Sequence, residues 1–412
     1  MWNRLIAALD ENYRYLVLFA SFALMLVGTG TMFAVVVALK PMTQDFGWPR
    51  SIPSLAFSLL YLGGGTGGMF IGHWMDRSGM GWPALVAAVM VGCGAILVST
   101  ITESWQLLLI YGGMLGLFGH ASLFSPLLAN VIRWFDNRRG TAVGIVAAGQ
   151  SLAGVIWPPI FGFFNQSIGW RATYLWFGIF ALCIMVPLSL IMHRRPPAAS
   201  ETAAKAQPIV ARSATKVGGR AAPSPKTLQC VLALAIVGCC IAMALPLAHL
   251  IAHVSDLGHP AARAAEVLAV LLAGSLASRL TALGPVANRY GGLVSVFTFS
   301  AIQTVGLALL VFFDGLLALY LIAFLFGFGY GGIVPSYPVV VREFLPVHEG
   351  GRRTAVVIFF GAIGMAIGGW LGGFVHDLVG SYTPAFLIGI AFNLGNLAVI
   401  GTLIRLSRRP AG

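Results

Sequence analysis

Twelve apolar segments, each long enough to cross a lipid bilayer, constrain this chain more than any other feature of its sequence. A transmembrane helix needs about 20 apolar residues to cross a hydrocarbon core of ~30 Å. Such segments lie at 15–39, 51–72, 83–101, 105–132, 140–165, 171–192, 227–251, 264–287, 293–313, 316–341, 354–376 and 383–405. They predict an all-α membrane protein with twelve transmembrane helices, and the even number places both termini on one side.

The composition agrees with a chain whose surface faces lipid. Charged residues make up 9% of the 412 residues and hydrophobic residues 58%, whereas a soluble domain carries roughly 25% charged residues. The 51 glycines suit membrane helices, because small residues let neighbouring helices approach closely. We therefore expect membrane lipid as the main surrounding partner of the chain.

The basic charge is distributed unevenly between the loops. Of the 25 Lys and Arg residues, 20 fall on the side of the termini, four fall on the opposite side, and Arg279 lies inside a segment. This bias predicts cytoplasmic termini, because positive loops stay in the cytoplasm. The net charge of +12 therefore reflects topology, and we expect no binding to nucleic acid.

Motifs for catalysis are absent from the sequence. The five cysteines all lie in apolar segments, where a thiol behaves as a small apolar group. No spacing of Cys, His, Asp or Glu predicts a metal site, and no catalytic triad or nucleotide motif is present. The sequence predicts a protein that is not an enzyme and that needs no cofactor or metal.

The chain repeats itself on either side of one polar stretch. Residues 193–226 are rich in Ala, Pro, Ser and basic residues and predict a flexible cytoplasmic linker between a half at 1–192 and a half at 227–412. A constant separation of 212 residues pairs Gly72 with Gly284, Arg77 with Arg289, Gly79 with Gly291, Gly119 with Gly331, Pro126 with Pro338 and Gly149 with Gly361. We expect two six-helix halves related by an axis along the membrane normal.

Two loops carry the clearest repeated motif. G-H-W-M-D-R-S-G spans Gly72 to Gly79, and G-P-V-A-N-R-Y-G spans Gly284 to Gly291. Both resemble the G-x-x-x-D-R-x-G signature of the major facilitator superfamily, whose fold and alternating access the resemblance implies. It also implies a cytoplasmic gate, for which the candidates are Gly72, Asp76, Arg77, Arg133, Arg138, Arg139, Asn288 and Arg289. In such a gate, Gly72 allows close helix contact, and Asp76 and Arg77 bridge to charges and helix ends across the cytoplasmic seam. The alternative is a tight basic turn that only fixes topology, and Asn288 departs from the family's Asp.

Further motifs resemble a narrower family. They are F-G-W-P-R from Phe46, the run from Arg133 to Gly154, G-W-R-A-T-Y from Gly169 and V-G-S-Y-T-P-A-F from Val379. Together they are similar to bacterial members of the monocarboxylate transporter family, near the oxalate/formate exchangers. The resemblance implies a small carboxylate as substrate, a monomer, and a bacterial cytoplasmic (inner) membrane as location.

Arg279 carries the most chemistry of any residue in the segments. A guanidinium inside a membrane costs roughly 2.5–3.5 kcal/mol on insertion scales, and its planar fork matches the two oxygens of a carboxylate. The resemblance places the family's substrate-binding arginine in this helix. The alternative is an arginine that extends to the cytoplasmic interface. Proton-coupled relatives carry an aspartate one turn earlier, where this chain has Ser275, a further candidate for binding the substrate.

Four other side chains complete the candidate substrate site. His120 and His249 are candidates for proton coupling, because histidine titrates near physiological pH; the alternative for each is a hydrogen bond to a backbone carbonyl. Tyr61 and Tyr330 are candidates for lining the cavity, and packing is equally compatible with the sequence. The glycine-rich runs at 63–68 and 327–332 lie in apolar helices, which favours helix packing over phosphate binding.

The main hypothesis is secondary transport of a small organic monocarboxylate, with Arg279 pairing the carboxylate and with proton symport or anion antiport balancing the charge. One alternative is an exporter of a hydrophobic or neutral compound, in which Arg279 is structural. An alternative of another class is a membrane sensor or scaffold that transports nothing.

Overall fold

The prediction of twelve transmembrane helices is confirmed. The computed structural model describes residues 2–135, 139–194, 225–345 and 350–408, and every regular element in these ranges is helical. Twelve of these helical stretches are long and apolar enough to cross a membrane. Numbered as spans one to twelve, they are Asn12–Phe46, Ser51–Ser78, Gly81–Ser99, Ser104–Ile132, Thr141–Ser167, Gly169–Ile191, Pro225–Asp256, Ala261–Thr281, Gly292–Phe312, Leu316–Phe344, Arg353–Val379 and Thr383–Ser407.

The helices group into two compact units. The first unit comprises Met1–Met42 and Leu59–Gln207, and the second comprises Thr43–Ser58 and Pro208–Gly412. The end of span one and the start of span two thus pack within the second unit. Most of the predicted linker lies outside the described residues, and the division at 193–226 stays a prediction.

Two helices of the first unit are interrupted inside the bilayer-crossing region. The helices that lie wholly or mostly in this unit are Trp2–Gly28, Gly30–Phe46, Ser51–Ser78, Gly81–Ser99, Ser104–Leu109, the π-helical Ile110–His120, Ala121–Leu123, Ser125–Ile132, Arg139–Ser167 and Gly169–Ile191. Span one breaks at Thr29, between two glycines that weaken a helix, and the Trp157 indole N–H donates to the Leu26 carbonyl at 2.9 Å beside this break. Side chains thus bond to the backbone where span one is irregular.

The second unit contains one helix break that the sequence did not predict. Its helices are Pro225–Asp256, Ala261–Thr281, Leu283–Tyr290, Gly292–Phe312, Leu316–Phe344, Gly350–Val379 and Thr383–Arg408. The segment predicted as one helix over 264–287 is broken at Ala282. Pro285 explains the break, because it has no N–H for the Thr281 carbonyl and its ring crowds that carbonyl.

The repeat is visible in the backbone as well as in the sequence. Gly79 and Gly291 close the two signature loops, and each has a φ of +83°. This left-handed conformation strains residues with a Cβ, which explains why both loops end in glycine.

The glycine-rich runs pack helices together, as predicted. In the first unit, a Cβ added to Gly67 of span two would lie 2.2 Å from the Leu117 carbonyl oxygen of span four. In the second unit, a Cβ on Gly327 of span ten would lie 1.7 Å from the Leu271 carbonyl oxygen of span eight. Neither pair of backbones can approach this closely with a larger residue at the glycine.

Two buried side-chain amides of span twelve form hydrogen bonds to span nine in the second unit. The Asn393 side-chain amide donates to the Ser300 carbonyl at 3.1 Å and to the Thr304 hydroxyl at 2.9 Å. The Asn396 amide donates to the Ser300 hydroxyl at 3.1 Å. Interhelical hydrogen bonds of this kind help membrane helices associate where water is excluded.

We expect Gly327→Ala to destabilise the protein, because its methyl group would overlap the Leu271 backbone. Overpacking costs about 1–3 kcal/mol in typical cores, and a backbone neighbour leaves little room for relief. Thermal unfolding in detergent measures the effect. Gly395→Ala in span twelve is the control, since an added Cβ there meets nothing within 4 Å. Equal unfolding temperatures for the two variants would contradict the packing role of Gly327.

Candidate functional site

Arg279 lies in the last turn of span eight and is half-buried. Its Nε donates a hydrogen bond to the Gly331 carbonyl oxygen of span ten at 3.3 Å. Among the described residues, no carboxylate forms an ion pair with it. The break at Ala282 places Arg279 two residues from the end of its helix, nearer to that end than the uninterrupted segment predicted. A guanidinium held at one nitrogen and without a counter-ion is suited to bind an anion.

Tyr330 and Ser275 lie near Arg279 on different helices, spans ten and eight. Tyr330 is buried and directly precedes Gly331, whose carbonyl oxygen accepts from Arg279. Ser275 is fully buried one turn before Arg279, and its carbonyl oxygen would meet a Cβ on Gly331 at 2.4 Å. The Ser275 hydroxyl bonds to none of the described residues. The structure thus places Tyr330 next in sequence to the residue that bonds Arg279, and it places Ser275 in the interface of spans eight and ten.

His120 and Tyr61 come together in the first unit. His120 ends the π-helical segment Ile110–His120 of span four, and such segments are frequent at functional sites. Its ring lies edge-on to the Tyr61 ring, with 5.7 Å between centroids. The Tyr61 hydroxyl lies 3.1 Å from the Met32 sulfur. Half-buried His120 keeps part of its surface accessible, as a residue that exchanges protons must.

His249 matches the structural alternative for a membrane histidine. It is fully buried in span seven, and its Nε2 lies 2.7 Å from the Gly369 carbonyl oxygen of span eleven. Because a carbonyl oxygen only accepts, Nε2 is the donor in this contact. Nδ1 has no partner among the described residues. Trp157 and Tyr337 are likewise buried.

A second cluster in the second unit was not singled out in the sequence. Arg50 donates to Asp256 through both terminal nitrogens, at 3.0 Å from Nη2, and donates from Nη1 to the Tyr382 hydroxyl at 3.0 Å. Asp377 accepts the backbone N–H groups of Arg50 and Ser51 at 2.8 and 2.9 Å. It therefore caps the start of span two. Arg50 and Tyr382 belong to motifs that carried the family resemblance, but nothing in the sequence indicates that they meet.

The electrostatics of this cluster favour a charged Arg50. Burial opposes the charge on Arg50, but the hydrogen bond to Asp256 and the interaction with Tyr382 outweigh it and raise the pKa of Arg50 above its ordinary value. Burial also raises the pKa of Tyr382 to about 12, against the opposing effect of Arg50. Tyr382 therefore stays protonated, and Arg50 stays charged, over the whole physiological range.

The two signature loops make different contacts, each within its own unit. Asp76 forms an ion pair with Arg133 within the first unit. In the second unit, Arg289 lies 5.4 Å from the Tyr290 ring centroid, and Asn288 is exposed. Glu343, which no sequence motif indicated, accepts the Gly292 N–H at 2.9 Å through its carboxylate and caps span nine.

The expected role of Gly72 in close helix contact is wrong. A Cβ on Gly72, or on its counterpart Gly284, would meet nothing within 4 Å. Both glycines lie near the exposed ends of their helices, beyond the interfaces that the glycine-rich runs form. Arg77 is exposed, Arg139 begins a helix, and Arg138 lies outside the described residues.

The described residues form twelve apolar helices in two units, and Arg279 lies half-buried in the second unit. These features define a multi-pass membrane protein of the transporter class. The chain belongs to the Major Facilitator Superfamily, whose profile matches residues 17–282 and, in an overlapping second match, 230–412. It is therefore a transporter of this superfamily and not an enzyme.

Curated relatives agree with the narrower resemblance. Monocarboxylate transporter 13 of Rattus norvegicus is 26% identical, over 77% of this chain and 72% of the relative. Monocarboxylate transporter 11 of Homo sapiens is 26% identical, over 96% of this chain and 83% of the relative. MFS-type transporter 1 of an Ophiocordyceps species is 28% identical, over 86% of this chain and 76% of the relative.

Solved structures share the fold. The nucleoside transporter NupG superposes with a TM-score of 0.73 at 12% identity, covering 95% of this chain and 99% of that one. A bacterial homologue of the human lysosomal transporter Spinster, in an inward-facing and occupied conformation, gives a TM-score of 0.69 at 15% identity. It covers 95% of this chain and 97% of that one.

We expect the Arg50–Asp256 pair to stabilise the second unit. The two side chains are 16% and 29% exposed, so removing one partner leaves a mostly buried charge, at a cost on the order of 3 kcal/mol. Arg50→Ala and Asp256→Ala should each lower the unfolding temperature in detergent. The double variant should lose less than the sum of the two, because the pair is lost only once.

Arg263→Ala provides the control for this cycle. Its ion pair with Glu266 lies at the surface, where such pairs contribute little. Strictly additive losses at Arg50 and Asp256 would show that the two side chains do not stabilise the unit through each other.

Proposed function

We propose that this protein is a secondary active transporter of a small organic monocarboxylate, working by alternating access, with Arg279 binding the carboxylate. The observation that carries the proposal is the half-buried guanidinium of span eight, which has no carboxylate partner among the described residues and is held at Nε alone. A buried positive charge without a counter-ion stabilises a bound anion.

Three carboxylates of the second unit already have other partners. Glu343 accepts from Gly292, Asp256 pairs with Arg50, and Glu266 pairs with Arg263. One cation without an internal counter-ion is neutralised by one negative charge. This charge balance favours a monoanion over a dianion as the transported species.

Charge balance across the membrane requires proton symport or exchange against another anion. Of the two histidines, His120 is the better proton carrier, since it is half-buried beside Tyr61, whereas His249 is fully buried. His249 already uses Nε2 to bond to Gly369. We favour symport through His120, and antiport remains the alternative that the flux measurement below separates.

The exporter alternative is favoured by one observation. The bond from Arg279 to the Gly331 carbonyl gives this arginine a structural partner, as a transporter of a hydrophobic or neutral compound would need. Competition by small carboxylates distinguishes the two functions, because such a transporter would ignore them.

For the orientation, we propose cytoplasmic termini and a bacterial cytoplasmic membrane, with the protein acting as a monomer. The division of basic residues, 20 against four, supports this orientation. Protease access to a C-terminal tag in right-side-out and inverted vesicles tests it.

We expect Arg279→Ala to abolish saturable carboxylate uptake and Arg279→Lys to raise KM strongly, because an ammonium lacks the planar fork. Losing a charged hydrogen-bonded contact of about 1.5–3 kcal/mol corresponds to a roughly 10- to 150-fold weaker interaction. The measurement is uptake of labelled formate, acetate, propionate and lactate into proteoliposomes. Arg263→Ala is the control at the far end of the same helix. Unchanged uptake by Arg279→Ala would refute the proposal and move the assignment to the exporter.

We expect an inward proton gradient to stimulate wild-type uptake and His120→Gln to remove this stimulation while leaving exchange intact. Glutamine keeps a polar side chain but cannot titrate, so only proton movement is lost. His249→Gln is the matched control and should retain stimulation. If uptake instead requires internal carboxylate and ignores the gradient, the coupling is anion exchange.

A further inference from the structure

The hydrogen bond that holds Arg279 uses a backbone carbonyl inside span ten. Gly331 lies within the continuous helix Leu316–Phe344, where each carbonyl normally accepts the N–H four residues later. For Gly331 that residue is Pro335, which has no N–H. The Gly331 carbonyl therefore has no regular helical partner, and Arg279 Nε supplies the missing donor at 3.3 Å.

The close approach of two helices brings the arginine to this carbonyl. A Cβ on Gly331 would lie 2.4 Å from the Ser275 carbonyl oxygen and 2.8 Å from its Cα. Spans eight and ten are thus in backbone contact at this level, and Arg279 follows Ser275 by one helical turn. An unsatisfied carbonyl in a membrane costs several kcal/mol, so both groups gain from the contact.

The bond at Nε has a consequence for the ligand. A guanidinium presents two edges to a carboxylate: one formed by Nε and a terminal nitrogen, the other formed by Nη1 and Nη2. Because Nε is bonded to Gly331, the first edge is occupied. Only the Nη1–Nη2 edge can form two parallel hydrogen bonds to one carboxylate.

We propose that Pro335 is a positioning residue for the substrate: by freeing the Gly331 carbonyl it holds Arg279 at Nε, so that the carboxylate binds end-on through Nη1 and Nη2. This inference rests on the proposed function, and it adds the residue that orients the guanidinium and the edge that binds the anion. Neither Pro335 nor Gly331 touches the substrate in this arrangement.

Span ten contains a matched control for the loss of a proline. Pro338 lies three residues further on and frees the Val334 carbonyl by the same chemistry, but Arg279 bonds to Gly331 and not to Val334. Pro335→Ala and Pro338→Ala both restore an N–H to the helix and both change its flexibility. Only Pro335→Ala gives the Gly331 carbonyl a competing donor.

The test measures KM and Vmax for the best carboxylate of the panel in proteoliposomes. Pro335→Ala should raise KM about tenfold, equal to the loss of about 1.4 kcal/mol of binding, with little change in Vmax. Pro335→Ser restores the same N–H and should behave alike, which keeps the test valid if one variant folds poorly. Pro338→Ala should leave KM near the wild-type value.

The arginine background provides the second readout. In Arg279→Lys, Pro335→Ala should change KM much less, because an ammonium has no end-on edge to orient. An equal KM change in both backgrounds, or an equal change with Pro338→Ala, would show an effect of helix flexibility and overturn the positioning role. Wild-type KM in both Pro335 variants would also overturn it.

These outcomes remain distinct from failure of the proposed function. If Arg279→Ala transports carboxylates normally, the assignment of the substrate site fails whatever the Pro335 variants do. If Arg279→Ala is inactive while Pro335→Ala and Pro335→Ser keep wild-type KM, the site stands and only the orientation through Gly331 is wrong.

Discussion

The absence of water from the hydrocarbon core is the constraint on which the rest of this structure depends. Every backbone polar group in a span needs a partner within the protein, so each irregularity in a helix must be compensated by a side chain. Trp157 bonds to the Leu26 carbonyl beside the break at Thr29, and Arg279 bonds to the carbonyl that Pro335 leaves without an amide. The need to satisfy every backbone carbonyl thus also determines where side-chain N–H donors such as Trp157 and Arg279 are placed.

The two arginines Arg50 and Arg279 have partners of different charge. Arg50 is tied to Asp256 and Tyr382 in the second unit, and this arrangement leaves it little capacity for another anion. Arg279 has only the weaker partner of a carbonyl dipole. A guanidinium paired with a carboxylate stabilises a fold, whereas one bonded to a neutral carbonyl keeps its full charge for a ligand. The difference between the two arginines lies in their partners and not in their residue type.

Local properties of the sequence predicted most of the fold. Segment length and hydropathy located the twelve spans, because crossing a bilayer imposes both. The break at Ala282 followed from Pro285, a local signal that the long apolar run concealed.

The contacts of Arg50 with Asp256 and of Glu343 with Gly292 join residues far apart in sequence, so no spacing rule indicated them. Gly72 was misjudged because a glycine pattern does not reveal whether another helix reaches that level. Arg279 was found by its cost in a membrane, but its partner depends on the register between two helices.

The π-helical segment Ile110–His120 sets the rotation of the later part of span four relative to its first part. A π-turn contains one residue more than an α-turn, and one residue corresponds to about 100° of rotation around a helix. Shortening this stretch by a single residue would therefore turn the Ser125–Ile132 helix by more than a quarter of a revolution relative to Ser104–Leu109. The winding of the middle of span four thus determines which side chains its two ends present to neighbouring helices.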